Sequence, residues 1–66
     1  MNFQYSDKYS DRLYEYRWVT VPKTDVVTRI LPEEEWRGLG ITMSPGWVHY
    51  ANYSPDNAMI FRRPLK

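Results

Sequence analysis

The chain has 66 residues, of which 42% are apolar, so residues 1–66 are expected to form one small domain. The absence of cysteine excludes disulfides and cysteine–zinc sites, and a single histidine cannot build a histidine-rich metal site. Nine basic and eight acidic residues give a net charge of +1 at pH 7, which argues against binding nucleic acid through bulk charge. With no long apolar run and no signal-peptide pattern, the sequence indicates a soluble, intracellular protein without membrane contact.

The N-terminal part is expected to be extended. A short strand around Tyr5 and Tyr9 can pair with a longer strand over 14–21, a β-branched and aromatic run that Pro22 ends. Side chains alternate along this longer strand and so divide between two faces. One face holds Glu15, Arg17, Val19 and Val21, and the other holds Tyr14, Tyr16, Trp18 and Thr20.

Two short helices are expected next. Thr24 can cap a first helix, in which the apolar residues between 26 and 31 recur at helical spacing. Pro32 ends that helix and can begin another, because proline is tolerated in the first turn. The three glutamates at 33–35 suit the positive N-terminal end of this second helix, and Arg37 suits its other end.

The C-terminal part is expected to be a β-hairpin. Strands over 47–51 and 58–63 flank Ser54-Pro55-Asp56-Asn57, a sequence typical of a type I turn. The predicted fold is therefore α+β, with a four-stranded antiparallel sheet and two short helices inserted after the second strand.

Nothing in the sequence favours catalysis. There is no cysteine nucleophile, glycine-rich phosphate loop or metal-ligand cluster, so neither a metal nor a cofactor is expected. His49, alone in a predicted strand, is more readily a structural or interfacial residue than a catalytic one. The glutamates at 33–35 fit a solvated helix start better than a catalytic pair.

Five residues could form an anion pocket if the strands that carry them are neighbours. Their side chains supply hydrogen-bond donors and three positive charges, which suits a dianionic phosphate. These residues are Lys8, Arg17, Ser44, Trp47 and Arg63. The residues alone leave simpler alternatives open. Arg17 could pair with Glu15 or Asp11, Trp47 could be a core ring, and Arg62-Arg63 could be a frayed basic terminus.

Five blocks of the sequence resemble the cyclin-dependent kinase regulatory subunits, the Cks family, in the same order from Tyr5 to Leu65. The blocks at Trp47 and Phe61 are the most specific. The blocks are Tyr5-Ser6-Asp7-Lys8-Tyr9, Glu15-Tyr16-Arg17, Glu35-Trp36-Arg37-Gly38-Leu39-Gly40, Ser44-Pro45-Gly46-Trp47-Val48-His49-Tyr50 and Phe61-Arg62-Arg63-Pro64-Leu65.

The resemblance implies a four-stranded antiparallel sheet with short helices and no catalytic activity. It implies an adaptor of cell-cycle control, in nucleus and cytoplasm, that binds a cyclin-dependent kinase catalytic subunit through one surface. A second surface would bind phosphothreonine followed by proline, or a phosphate or sulfate ion. Holding a partly phosphorylated substrate near the kinase would promote its multisite phosphorylation, because the second contact raises the effective substrate concentration.

The family's functional positions carry over to two sets of residues. The anion-binding set falls on Lys8, Arg17, Ser44, Trp47 and Arg63, and all five residue types are present. Arg62 should face the opposite side of the sheet by alternation. The kinase-facing set falls on Tyr9, Tyr50, Tyr53, Asp56 and Ile60.

Several positions depart from the family pattern. Trp18 stands where many members have His, Ala51 replaces a larger apolar residue, and Met43 replaces the Gln usually found before the serine. The segment between Pro22 and Trp36 is shorter than in animal members and lacks surface that an F-box partner uses there, so no ubiquitin-ligase role is expected.

The segment between the last two strands, the family's hinge, departs most. The family pattern His-x-Pro-Glu-Pro-His here reads Tyr53-Ser54-Pro55-Asp56-Asn57-Ala58. Loss of the second proline leaves a turn that can close locally, so we expect a monomer with a closed hairpin rather than a strand-swapped dimer. Asp56 keeps the acidic character of the hinge glutamate with a shorter side chain.

Two other functions fit the sequence. One is a phosphate-binding Cks-like module that has lost kinase docking, because its hinge is altered. The other is a single-stranded nucleic-acid binding module, since aromatic rings interleaved with arginine can stack on bases. The near-zero net charge argues against the second.

Overall fold

Five β-strands and one short α-helix form the described parts of the chain, residues 3–22 and 27–65, in a computed structural model. A 3-10 turn at Ser54–Asp56 joins the last two strands. The elements in chain order are β1 (Gln4–Tyr5), β2 (Tyr9–Ser10), β3 (Tyr14–Thr20), α1 (Glu33–Gly38), β4 (Val48–Tyr53) and β5 (Ala58–Pro64).

One antiparallel sheet contains all five strands. Its order is β1-β3-β5-β4, and β2 also pairs with β3. β3 pairs with β5 along its whole length, from Tyr14 opposite Pro64 to Thr20 opposite Ala58. The β4–β5 ladder has one irregularity, between His49 and Ala51. The long central pairing fixes which residues of β3 and β5 face each other.

The antiparallel sheet is confirmed, although it has five strands rather than four. The predicted first strand is divided into β1 and β2, which pair with β3 at separate places. Between them the Ser6 N–H donates to the Trp18 carbonyl at 2.9 Å, while the Trp18 N–H donates to Ser6 Oγ, also at 2.9 Å. A side chain has therefore replaced one backbone bond of the ladder, and the strand is interrupted there.

The prediction of two helices was wrong for the first of them. Thr24 lies outside the described residues, and residues 27–31 are not helical. Their backbone groups bond to side chains of β4 instead: the Leu31 N–H donates to His49 Nδ1 at 2.9 Å, and the Arg29 carbonyl accepts from Asn52 Nδ2 at 3.2 Å. These long-range bonds satisfy groups that a helix would otherwise pair.

The second helix is present as α1, over Glu33–Gly38, where the sequence predicts it. The extended Pro32, at φ −68° and ψ 162°, precedes it, and the Pro32 carbonyl accepts the N–H of Trp36 at 3.2 Å. Because α1 follows β3, the helical insertion comes after the third strand of the chain rather than the second. Among the described residues, no helix has the length and hydropathy needed to cross a membrane.

The hydrophobic core lies on one face of the sheet, which we call the core face. Helix α1 covers this face and places Trp36, which is fully buried, edge-on against Phe61 with the ring centroids 5.1 Å apart. The buried apolar residues packed together here are Val19, Val21, Leu31, Trp36, Ile41, Trp47, Met59 and Phe61. We call the opposite face the aromatic face; its residues on β3 and β5 include Tyr14, Tyr16, Trp18, Ile60 and Arg62.

The predicted hairpin is present, and β4 and β5 pair within one chain. Asn57 follows the 3-10 turn with a φ of 49°, a left-handed conformation that asparagine tolerates. Its side-chain Nδ2 donates to the Val21 carbonyl at 2.9 Å and the Pro22 carbonyl at 3.1 Å, which ties the turn to the end of β3. The closed turn agrees with the local closure expected from the altered hinge. The monomeric state stays a prediction.

Candidate functional site

Two arginines flank one buried tryptophan at the end of the core face. Trp47 immediately precedes β4 and is only 2% exposed. The Cζ atoms of Arg17 on β3 and Arg63 on β5 lie 5.6 Å and 4.9 Å from its ring centroid. Aromatic rings attract cations over their faces, so the indole holds both guanidinium groups in one place. We call this group, with Ser44, the arginine pocket.

Three of the five N–H groups of Arg63 already have acceptors. Its Nε and Nη2 both donate to Glu15 Oε2, at 3.2 Å and 2.7 Å. Its Nη1 donates to Ser44 Oγ at 2.7 Å. Gly46 lies against the same side chain at φ +102°, and a Cβ there would come within 3.2 Å of Arg63 Cδ. Arg63 is therefore held from several sides.

Arg17 is held less tightly than Arg63. Its Nη2 lies 3.4 Å from the Ser6 carbonyl, and its Cζ lies 5.7 Å from the centroid of the Tyr5 ring. Within the described residues, its buried Nε has no hydrogen-bond acceptor. A buried donor without an acceptor costs free energy, which makes Arg17 the less satisfied cation of the pocket.

Lys8 is the predicted anion-binding residue that the structure ties least closely to the others. It is exposed and lies in the segment between β1 and β2, two residues after Ser6. That segment adjoins the pocket because the Ser6 carbonyl faces Arg17. The structure thus brings four of the five predicted residues together, whereas Lys8 is exposed in the segment that adjoins the pocket.

The simpler pairings considered for Arg17, with Glu15 or Asp11, do not occur among the described residues. Glu15 bonds to Arg63 rather than Arg17. Asp11 accepts bonds at 2.8 Å from the Leu13 N–H, the Tyr14 N–H and the Tyr16 hydroxyl. The backbone bond from Tyr14, with those from Leu13 and Tyr16, lowers the pKa of Asp11, and the bond to Asp11 raises the pKa of Tyr16.

The two remaining alternatives concern the last strand and the tryptophan. Arg62 and Arg63 lie within the paired part of β5, so they are not a frayed terminus. Trp47 is indeed part of the core, yet its ring also contacts both pocket arginines. The core and the pocket therefore share this side chain.

The aromatic face also holds an arginine, in a different setting. The Cζ of Arg62 lies 4.4 Å from the Tyr14 ring centroid and 4.8 Å from that of Tyr50. Tyr16 packs beside Tyr50, with the centroids 6.1 Å apart. Arg62 thus faces away from the pocket, as alternation predicts, and lies between two tyrosine rings.

A groove of about 330 Å³ opens at the other end of the aromatic face. Trp18, which stacks on Tyr9 with centroids 5.4 Å apart, forms one of its walls. The lining residues are Trp18, Asn52, Tyr53, Asp56, Ala58 and Ile60. All five predicted kinase-facing residues lie on this face or in this groove. Tyr53, Asp56 and Ile60 line the groove, Tyr9 lies beside it, and Tyr50 lies next to Arg62.

His49 has internal partners and a structural role. Its Nδ1 accepts the Leu31 N–H, so its Nε2 carries the proton and donates to Asn52 Oδ1 at 2.7 Å and the Ala51 carbonyl at 3.1 Å. Burial lowers the pKa of His49, while the bonds to Asn52 and Ala51 oppose that change. In the part of the chain that the structure describes, no group of three His, Cys, Asp or Glu residues could hold a metal ion.

Comparison with known proteins decides the family. Residues 3–65 match the CKS family model, described as cyclin-dependent kinase regulatory subunit. The chain belongs to this family. It is 52% identical to cyclin-dependent kinases regulatory subunit 2 of Arabidopsis thaliana, over 94% of this chain and 81% of that protein. It is 48% identical to cyclin-dependent kinases regulatory subunit 2 of Xenopus laevis, over 97% and 87% respectively.

A third relative extends the same similarity. The cyclin-dependent kinases regulatory subunit of Caenorhabditis briggsae is 50% identical, over 97% of this chain and 73% of its own length. The matches cover nearly the whole of this Cks chain, so both the arginine pocket and the aromatic face lie inside the family domain.

Three residues that build the pocket of this Cks domain were not predicted as site residues. Glu15 binds Arg63, Gly46 lets the Arg63 stem pass close to the backbone, and Tyr5 lies under Arg17. Alternation did place Glu15 and Arg17 on one face. Choosing Arg63 as the partner of Glu15 needed the β3–β5 register, which the sequence does not give.

Proposed function

We propose that this Cks domain is a non-catalytic adaptor that binds a cyclin-dependent kinase catalytic subunit and phosphothreonine–proline sites on that kinase's substrates. In this role it promotes multisite phosphorylation in cell-cycle control. One observation carries the phosphate half of the proposal: the guanidinium groups of Arg17 and Arg63 flank Trp47 with N–H groups to spare. Guanidinium groups form strong, charge-assisted bonds with phosphate, and often two at once.

The charge in the pocket suits a doubly charged ligand. Two guanidinium groups and one carboxylate leave it net positive, and Lys8, exposed in the adjoining segment, adds a further positive charge nearby. A phosphate monoester carries nearly two negative charges at pH 7 and three acceptor oxygens. An unmodified threonine offers neither. We therefore expect the pocket to distinguish the phosphorylated from the unmodified form of one peptide.

The aromatic face supports the kinase half of the proposal. Tyr50 and Tyr53 are 39% and 53% exposed, and the groove beside them is lined largely by apolar side chains. Exposed aromatic patches on small soluble proteins commonly mark protein interaction sites. The relatives' names describe them as regulatory subunits of cyclin-dependent kinases, and such a subunit must contact the kinase.

Two separate surfaces would explain the adaptor's effect without catalysis. The arginine pocket and the aromatic face lie on opposite sides of the sheet, so one domain has room for the kinase and the substrate together. Tethering makes the second encounter intramolecular, with an effective substrate concentration that can reach the millimolar range. Even weak phosphothreonine binding would then favour repeated phosphorylation of the same substrate.

The test uses two variants that should each lose a different partner. Arg63→Ala should weaken calorimetric binding of a phosphothreonine–proline peptide about 30-fold or more, since two charge-assisted bonds are lost. It should leave kinase binding unchanged. Ile60→Asp, which places a charge in the groove, should lose the kinase and keep the peptide.

Arg62→Ala is the matched control for the pocket, since it removes the neighbouring arginine from the other face. It should leave peptide affinity within about twofold. Equal binding of phosphorylated and unmodified peptides by the unaltered chain would refute the phosphate half. Failure of that chain to bind any cyclin-dependent kinase, with peptide binding intact, would instead identify a phosphate-binding module without kinase docking.

A further inference from the structure

The arginine pocket contains a carboxylate, which is unexpected in a site for anions. Glu15 on β3 lies directly opposite Arg63 on β5 in the antiparallel register. Their ion pair is 2.7 Å long, and their side chains are only 18% and 26% exposed. A carboxylate near a phosphate opposes its binding, so its presence calls for a compensating physical effect.

The geometry of the ion pair supplies such an effect. Glu15 uses one oxygen, Oε2, to accept from both Nε and Nη2 of Arg63. Ser44 accepts one N–H from Nη1. A guanidinium has five N–H groups, so one remains on each of the two terminal nitrogens. Those two N–H groups are the donors that Arg63 has left for the oxygens of a phosphate.

The other contacts of Arg63 do not fix the direction of these two N–H groups. The Trp47 ring, 4.9 Å away, attracts the guanidinium without setting its rotation in the plane of the ring. Gly46 lies against the aliphatic stem and leaves the terminal nitrogens free to turn. Ser44 is exposed and holds a single N–H. Glu15, with two bonds to one edge of the guanidinium, is the contact that determines its orientation.

We infer that Glu15 is a positioning residue: it holds one edge of the Arg63 guanidinium so that the remaining two N–H groups face the pocket. The inference rests on the proposed phosphate binding and adds to it a residue that is not itself a phosphate ligand. Preorganised donors bind more tightly because less side-chain freedom is lost on binding. The orientation gained outweighs the repulsion between the carboxylate and the ligand.

Two substitutions at Glu15 separate orientation from charge. Glu15→Gln keeps an oxygen that accepts from Nε and Nη2 and removes the negative charge, whereas Glu15→Ala removes both. We expect Glu15→Ala to weaken binding of the phosphothreonine–proline peptide about tenfold or more. Glu15→Gln should bind as tightly as the unaltered chain, or more tightly. Glu33→Ala, which removes the same charge from an exposed pair with Arg37 on α1, should change affinity less than twofold.

A nuclear magnetic resonance measurement tests the orientation without any ligand. In the free protein, the Arg63 Nε–Hε signal should be resolved from those of freely rotating arginines and persist in Glu15→Gln. It should be lost in Glu15→Ala. Circular dichroism on each variant verifies that it is folded, so that a loss of binding is not a loss of structure.

The outcomes distinguish this inference from the proposed function. If the unaltered chain does not bind the phosphopeptide, the proposed function fails. The Arg63 Nε–Hε signal would still show whether Glu15 holds the Arg63 guanidinium in place. If that chain binds and Glu15→Ala binds equally well, Glu15 does not position Arg63. If Glu15→Ala and Glu15→Gln both bind more tightly, Glu15 competes with the ligand as an anion. If both lose affinity equally, the charge of Glu15 is what matters. Either result overturns the inference.

Discussion

The core face and the aromatic face contain similar residue types but differ in what covers them. On the core face, Trp36 from α1 is fully buried against Phe61. On the aromatic face, Trp18 stacks on Tyr9 and remains 40% exposed. Among the described residues, no helix covers the aromatic face. One face therefore stabilises the domain, and the other presents its rings to solvent.

The adjacent arginines of β5 show the same contrast at the level of single residues. Arg63 donates two hydrogen bonds to Glu15 Oε2 and one to Ser44 Oγ. The Cζ of Arg62 instead lies over the rings of Tyr14 and Tyr50. Side chains alternate along a strand, so a step of one residue moves a guanidinium to an entirely different environment. The two arginines therefore differ in their partners rather than in their residue type.

Removing one tryptophan from each face should give the largest difference. Trp36→Ala should lower the free energy of unfolding by about 3–5 kcal/mol, because it leaves a cavity beside Phe61. Trp18→Ala should cost about 1 kcal/mol, mainly the stacking on Tyr9. Urea unfolding followed by far-ultraviolet circular dichroism measures both values.

Trp36→Ala could leave so small a domain unfolded in water, which would itself agree with the prediction. Trp36→Phe keeps part of the ring volume and should give a measurable, intermediate loss. Equal losses from Trp36→Phe and Trp18→Ala would contradict the idea that only the core face carries the stability.

A glycine pair tests how closely the pocket end of the core face is packed. Gly46→Ala should cost about 1–2 kcal/mol in unfolding free energy, because φ is +102° and the new Cβ would meet Arg63 Cδ at 3.2 Å. By displacing Arg63, it should also weaken phosphopeptide binding. Gly38→Ala, at the end of α1 with no atom within 4 Å of its new Cβ, should be neutral or stabilising by up to about 1 kcal/mol. Unchanged peptide affinity in Gly46→Ala would show that Arg63 has room to shift.

The local elements of this fold were predictable from the sequence. β3 ends at Thr20, one residue short of the predicted end before Pro22. Helix α1 begins directly after Pro32. The separation of Arg62 from Arg63 also followed from alternation alone. Each of these predictions depends on neighbours within a few positions, where chain geometry decides the result.

The parts that failed depend on distant residues. Apolar spacing over 26–31 suggested a helix, yet the Leu31 N–H bonds to His49, 18 positions away. Similarly, Glu15 and Arg63 are 48 positions apart, and only the β3–β5 register makes them partners. The sequence could nominate residues for the pocket, whereas their mutual bonds required the tertiary structure.

Among the described residues, His49 is the one titratable side chain buried in the core face, and its bonds fix its protonation state. It is 2% exposed, and its Nδ1 must be unprotonated to accept the Leu31 N–H. Burial lowers its pKa in the folded chain below the usual value of 6.5. In the unfolded chain the imidazole titrates near 6.5, so below that pH the unfolded state binds more protons.

The smallest predicted effect follows from this difference, and its sign is fixed. The free energy of unfolding should be constant near pH 7 and fall as the pH drops towards 5, by at most about 1.4 kcal/mol per pH unit. The pKa values of Asp11 and Glu35 are lowered from 3.8 and 4.5 by their hydrogen-bond donors, so their contributions are lost only below this window. Urea unfolding at pH 5, 6 and 7 measures the slope, and His49→Gln should be less stable overall but independent of pH over that range. A slope that persists in His49→Gln would assign the pH dependence to another group. A flat profile in the unaltered chain would mean that the buried imidazole accepts a proton without losing its bond to Leu31.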